Sequence, residues 1–140
     1  MKTIVSKLQW IAVLGSAAVA CGEDLDVHFG RDIRPLLSNS CFVCHGPDSD
    51  AREAELRLDS FEFATKDRDG KAAIVPGDPE ASLLYQNITT KKRSRQMPPS
   101  DSIKHRFTEA EVALIRIWIE QGAEYEPHWA YEAIARPEVP

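Results

Sequence analysis

The sequence predicts an all-α domain of three to five helices joined by long loops. Apolar residues recur at helical spacing in three separate stretches, and no stretch of alternating apolar and polar residues finds a second one to pair with. A third observation is the pentapeptide Cys41-Phe42-Val43-Cys44-His45, placed where the first of those helices delivers the chain. With 140 residues the chain has room for one domain and a single modest core.

The first helix is expected from Leu25 onward. Phe29, Ile33, Leu36 and Leu37 fall on one face, and Asp26 is placed to act as the N-cap. Gly30 is costly in a helix, by roughly 1 kcal/mol against alanine, and implies close approach of another helix. Pro35 removes the N–H that would bond to the Arg31 carbonyl, so a kink or a fresh helical start is expected there.

Between Gly46 and Gly77 the pattern is less regular. GPDSDAREAE is polar, and LRLDSFEF alternates only weakly, which fits a loop with a helical turn around something apolar. A second helix is expected from Asp78, as cap, through Pro79 and Glu80 to Leu83, Leu84, Asn87 and Ile88. The stretch TTKKRSRQMPPS then reads as a stiff extended loop, because two consecutive prolines restrict the backbone. The last helix is TEAEVALIRIWIEQGA. Thr108 and Glu111 match a capping box, Val112, Ile115, Trp118 and Ile119 mark its inner face, and Gly122 suits a left-handed C-cap. Residues 127–140 form an aromatic and proline-rich tail.

Residues 1–20 stand apart. Lys2 and Lys7 precede an apolar run that ends in Ala18-Val19-Ala20, the pattern of a secretory signal peptide and too short to span a bilayer comfortably. The expected product is exported and periplasmic, with its domain at residues 25–126. Cys21 directly follows the cleavage pattern, as a lipobox cysteine would, so a soluble form and a form anchored through lipid on Cys21 are both open. Removal of residues 1–20, which hold two lysines and no acid, takes the net charge from -5 to -7. That acidity, with no interleaving of aromatic and basic residues, excludes a general nucleic-acid binder.

Cys-x-x-Cys-His is the attachment signature of haem c. Two thiols at this spacing can each add across one haem vinyl group, forming thioethers, and the adjacent His45 supplies the proximal iron ligand. A zinc site would need a further Cys or His pair, whereas His28, His105 and His128 are scattered singly. A thioredoxin-like pair would want a βαβ context, and a plain disulfide would leave His45 accidental. One covalent haem through Cys41 and Cys44 is therefore the expectation. Met97, the only methionine after Met1, is the expected distal ligand, with His105 as the runner-up and core packing of Met97 as the alternative. His/Met ligation closes the iron to substrates and suits electron transfer.

Several stretches in order also resemble the small domains called planctomycete cytochrome C, within the wider class I cytochrome c group. They are FGRDIRPLLSNSCFVCHGPD, LRLDS, AIVPGDPEASLLYQNI, MPP and EVALIRIWIEQGAEY with HWA and RP after it. The resemblance implies a class I cytochrome c-like fold whose terminal helices cross near the haem, with Gly30 and Trp118 in that crossing and iron between His45 and Met97. Such domains commonly open longer proteins, so the chain is expected to be a fragment or a lone module. The basic run Lys91, Lys92, Arg93 and Arg95 departs from the acidic or mixed loop usual there, and is a candidate docking site for an acidic redox partner protein. Arg52 and Arg57 are candidate haem propionate partners by position.

The functional expectation is an electron carrier, not an enzyme, since no catalytic acid or base is called for. The alternatives are an electron-entry domain of a larger redox enzyme, or, if Met97 is not a ligand, an open-site haem peroxidase or gas sensor.

Overall fold

The computed structural model describes residues 25–126. The expected signal segment 1–20, Cys21, His128 and the tail 127–140 lie outside the described residues.

Among the described residues there are five α-helices and no strand: α1 (Arg34–Ser40), α2 (Phe42–His45), α3 (Phe61–Thr65), α4 (Leu83–Thr89) and α5 (Glu109–Glu120). One π-helical turn, Phe29–Ile33, runs directly into α1. Its cause is Pro35. An α-helix continuing through this point would ask for an N–H that proline lacks. The chain instead closes a wider turn, with the Arg34 N–H donating to the Phe29 carbonyl, and α1 starts afresh with Pro35 as its second residue. Phe29, Ile33 and Leu37, four apart, stay on one buried face across the junction, while Leu36 is only half-buried.

Asp26 is not the N-cap. The flanking residue is His28, whose N–H is taken by the Asp32 carboxylate at 2.9 Å from inside the first turn. Asp26 instead meets the His28 ring, Oδ2 to Nε2 at 3.1 Å.

The second helix also starts later than its sequence suggests. Residues 78–81 make a turn, held where the Asp78 carboxylate accepts the Ala81 N–H at 2.9 Å, and α4 begins only after Ser82. The fully buried Ser82 hydroxyl explains the delay. It accepts the Val75 N–H at 2.8 Å and donates to the Asp78 carbonyl at 2.8 Å, folding the loop onto itself before the helix can start. Gly77, at φ +82, then donates its N–H to the Ile119 carbonyl and pins this loop to α5.

The capping box of α5 is present as expected. Thr108 Oγ1 accepts the Glu111 N–H, and the Glu111 carboxylate accepts the Thr108 N–H at 2.7 Å. Ile115, Trp118 and Ile119 are buried, whereas Val112 is only half-buried. Gly122, at φ +104, ends the helix, and the Ala123 N–H returns to the Trp118 carbonyl at 2.9 Å.

The core lies where the π turn meets α5. Phe29 packs on Trp118 and Tyr125, with ring centroids 5.6 and 4.1 Å away, and those two rings also meet each other. The Trp118 indole donates to the Glu124 carbonyl, and the Tyr125 hydroxyl to the Leu58 carbonyl. Gly30 has a different neighbour from the one expected. Its N–H donates to the Glu126 carboxylate at 3.1 Å, and an added Cβ would lie 2.9 Å from that oxygen, so a side chain rather than a helix backbone makes the close approach.

Candidate functional site

The loops and short helices leave a cavity of about 320 Å³ on one side of this core. Its walls come from five stretches that are far apart in sequence. Cys41 and His45 stand at the end of α1 and on α2; Leu56 and Leu58 come from the loop that follows. Ala73 precedes the Ser82 turn, Leu84 and Asn87 belong to α4, and Met97 comes from the proline loop. Most of this lining is apolar, and the volume falls among those of cofactor pockets.

The backbone fixes the Cys-His corner. Cys44 and His45 N–H groups both return to the Cys41 carbonyl, at 3.1 and 2.8 Å. The chain beyond closes back on it, the Glu53 N–H donating to the Cys44 carbonyl and the Leu58 N–H to the His45 carbonyl, each at 2.8 Å. Gly46 is required between them, because a Cβ there would run into the Phe42 carbonyl oxygen. Arg52 completes the corner by donating to the Gly46 and Pro47 carbonyls.

One contact orients the imidazole. His45 Nδ1 lies 3.2 Å from the Glu53 carbonyl oxygen. A carbonyl can only accept, so the proton belongs on Nδ1 and the lone pair on Nε2. This is the outer-shell arrangement that metal-binding histidines use. Burial, the largest influence, also holds the His45 pKa below its ordinary value, which favours the neutral ring.

The two cysteines differ. Both are free thiols among the described residues, so no disulfide joins them. Cys41 is buried, and its pKa is pushed up to about 12, mainly by burial and then by Cys44 nearby. Cys44 is exposed and is not part of the cavity wall. Met97 lines the cavity while remaining 39 % exposed, held by its N–H to the Asn87 carbonyl at 2.9 Å.

The other candidates lie elsewhere. His105 does not line the cavity; its Nε2 meets the Glu111 carboxylate at 2.9 Å, and its carbonyl accepts from Ser40 Oγ. His28 is held between Asp26 and Glu126. Neither Arg52 nor Arg57 reaches the cavity wall. Arg52 is spent on carbonyls, and Arg57 pairs with Asp59 at 2.7 Å and lies over the Phe63 ring. The cations that do line the wall are Arg68 and Lys71, which sequence position alone did not single out. Among the described residues no three His, Cys, Asp or Glu side chains are grouped so as to hold a metal ion by themselves.

These residues fit a haem. An imidazole whose Nε2 has no hydrogen-bond partner among the described residues and a thioether line one mostly apolar cavity, a buried thiol stands on its wall, and two cations complete it.

No curated protein and no solved structure matches the chain. Residues 41–101, which open on Cys41 and run past Met97, match the family model described as planctomycete cytochrome C. That match, over part of the chain, points to a haem-binding cytochrome.

Proposed function

We propose that the chain is an electron-transfer protein carrying one haem c, joined by thioethers to Cys41 and Cys44, with iron between His45 and Met97. The observation that carries this reading is the cavity itself, which gathers Cys41, His45 and Met97 from separate segments onto one apolar surface. Bound haem supplies reversible one-electron chemistry.

The chain's own residues do the rest. The Glu53 carbonyl keeps the Nδ1 proton of His45 in place, which would leave the Nε2 lone pair to hold an iron. Leu56, Leu58, Ala73 and Leu84 exclude water from the cofactor face. Asn87 anchors the Met97 backbone through its carbonyl, which would help to hold the Met97 thioether at the cavity. A class I cytochrome c-like arrangement, in a periplasmic protein that is soluble or anchored through Cys21, is the setting this reading assigns.

Lys91, Lys92, Arg93 and Arg95 are all exposed, and the Arg95 guanidinium donates to the Gln86 and Asn87 side chains beside the cavity. On a chain of net charge -5 this local positive surface suits an acidic redox partner. The partial exposure of Met97 favours one second reading, an open distal side serving catalysis or gas sensing, alone or as the electron-entry part of a larger enzyme.

The test is a redox titration of the chain matured with haem c and followed by absorption. A single reversible one-electron transition, with haem retained by the chain after acid-acetone extraction, is expected. Haem lost to the solvent would contradict covalent attachment, and no reversible transition would contradict the carrier role.

A further inference from the structure

Arg68 and Lys71 bracket a tight turn on the cavity wall. The Arg68 N–H donates to the Lys71 carbonyl at 2.8 Å, and the Lys71 N–H returns to the Arg68 carbonyl at 3.3 Å. Between them Asp69 and Gly70 sit at φ 56 and 79, the two positive values that a type I′ turn demands. The Asp67 carboxylate accepts the Gly70 N–H at 2.8 Å and steadies the turn from outside. Arg68 is fixed further by a 2.8 Å bond from Nη2 to the Glu55 carbonyl, beside the wall residues Ala54 and Leu56.

What this pair lacks is a counterion. Arg31, Arg57 and Arg116 each face a carboxylate within 2.9 Å. Among the described residues no carboxylate pairs with Arg68 or Lys71, although the protein is acidic overall. Two cations held on a short turn against a mostly apolar cavity ask for a ligand with a large apolar body and anionic groups at one edge.

We propose that Arg68 and Lys71 bind the haem propionates, and so set which edge of the cofactor enters and raise its reduction potential. The proposal rests on the haem reading above. Oxidation leaves one more positive charge at the iron, and nearby cations oppose it, so they stabilise the reduced state. Arg52 and Arg57, favoured by sequence position, do not line the cavity: Arg52 donates to the Gly46 and Pro47 carbonyls, and Arg57 pairs with Asp59.

The experiment compares reduction potentials of four matured chains: wild type, R68Q/K71Q, the charge-conserving R68K/K71R, and K104Q/R106Q, which removes two cations outside the cavity wall. The expected result is a negative shift in R68Q/K71Q well beyond that of K104Q/R106Q, with R68K/K71R remaining near wild type. Equal potentials in R68Q/K71Q and K104Q/R106Q would overturn the proposal. If R68Q/K71Q takes up less haem while its unloaded chain matches wild type by circular dichroism, a binding role is supported. If that chain is itself unfolded, K71Q alone decides the matter, since Lys71 is exposed and its loss opens no core. A wild-type chain that takes up no haem overturns the haem reading itself, whereas a loaded wild type with an unresponsive R68Q/K71Q overturns only the propionate assignment.

Discussion

At the scale of single residues, the site depends on how little freedom the Cys-His corner has. Gly46 follows His45 directly, and any Cβ there meets the Phe42 carbonyl oxygen. Backbone would have to give way, because the obstructing atom is not the end of a flexible side chain. Gly46→Ala is therefore expected to destabilise the fold by about 1–3 kcal/mol, as overpacking does, and to lower the yield of haem-loaded protein. Urea unfolding of the unloaded chain measures the first and the haem absorbance per chain the second; wild-type values in both would contradict this role of Gly46. The corner was legible in the sequence because spacing alone carries it. Arg68 and Lys71 were not legible, because nothing periodic marks them. They reach the cavity only through a turn between α3 and α4, and that placement is a tertiary fact. Arg52 and Arg57 illustrate the converse: closeness in sequence to the motif said nothing of the carbonyls and the Asp59 carboxylate that occupy them.

At the scale of elements, α5 was the most legible because its signals agree. The capping box, the apolar spacing and the terminal glycine all place it where it is found. Glu111 carries a testable pH signature. Its pKa is lowered, first by the Thr108 backbone N–H and also by its bond to His105. A carboxylate whose folded pKa lies below its unfolded value stabilises the fold above the unfolded value, and that contribution is lost as pH falls through the folded one. Glu111→Gln should accordingly cost stability at pH 7, on the order of 1 kcal/mol, and the gap to wild type should close on acidification below the ordinary value of 4.5. Thermal unfolding across that range checks it, and a gap independent of pH would exclude the carboxylate. Boundaries were less legible for the first helix and for α4. Pro35 was visible as a discontinuity, but a π turn was one of several ways to resolve it. At α4 the buried Ser82 hydroxyl outweighs the local preference of Asp78 and Pro79 for a helix start, through bonds to Val75 and Asp78 that the sequence does not announce.

At the scale of the whole molecule, the start and end of the described chain are held together at one place. His28 bridges Asp26 through Nε2 and Glu126 through Nδ1, at 3.1 and 2.7 Å, and Glu126 also takes the Gly30 N–H. The Gln121 side chain adds a donor to the Leu25 carbonyl and an acceptor for the Val27 N–H. The bond to Glu126, foremost, raises the His28 pKa above 6.5. Stability from this clasp is complete below 6.5 and is lost as pH rises through the raised value, the opposite direction from Glu111. His28→Ala should remove that alkaline decline while leaving the acid limb in place. A decline unchanged in His28→Ala would assign it to another group. The same convergence packs Phe29 on Trp118 and Tyr125, and Tyr125 in turn reaches the Leu58 carbonyl, one residue of the cavity wall. The terminal packing and the cavity thus share a boundary.

The measurement that bears most directly on the central claim is the response of the reduced, haem-loaded protein to carbon monoxide, in wild type, Met97→Ala and His105→Ala. With Met97 on the iron, the wild-type spectrum is expected to be barely altered by carbon monoxide and to show a methionine–iron band when oxidised, and His105→Ala to behave the same. Met97→Ala should lose the band and bind carbon monoxide readily. A wild-type protein that binds carbon monoxide as readily as Met97→Ala would contradict ligation by Met97, and with it a carrier closed to small ligands.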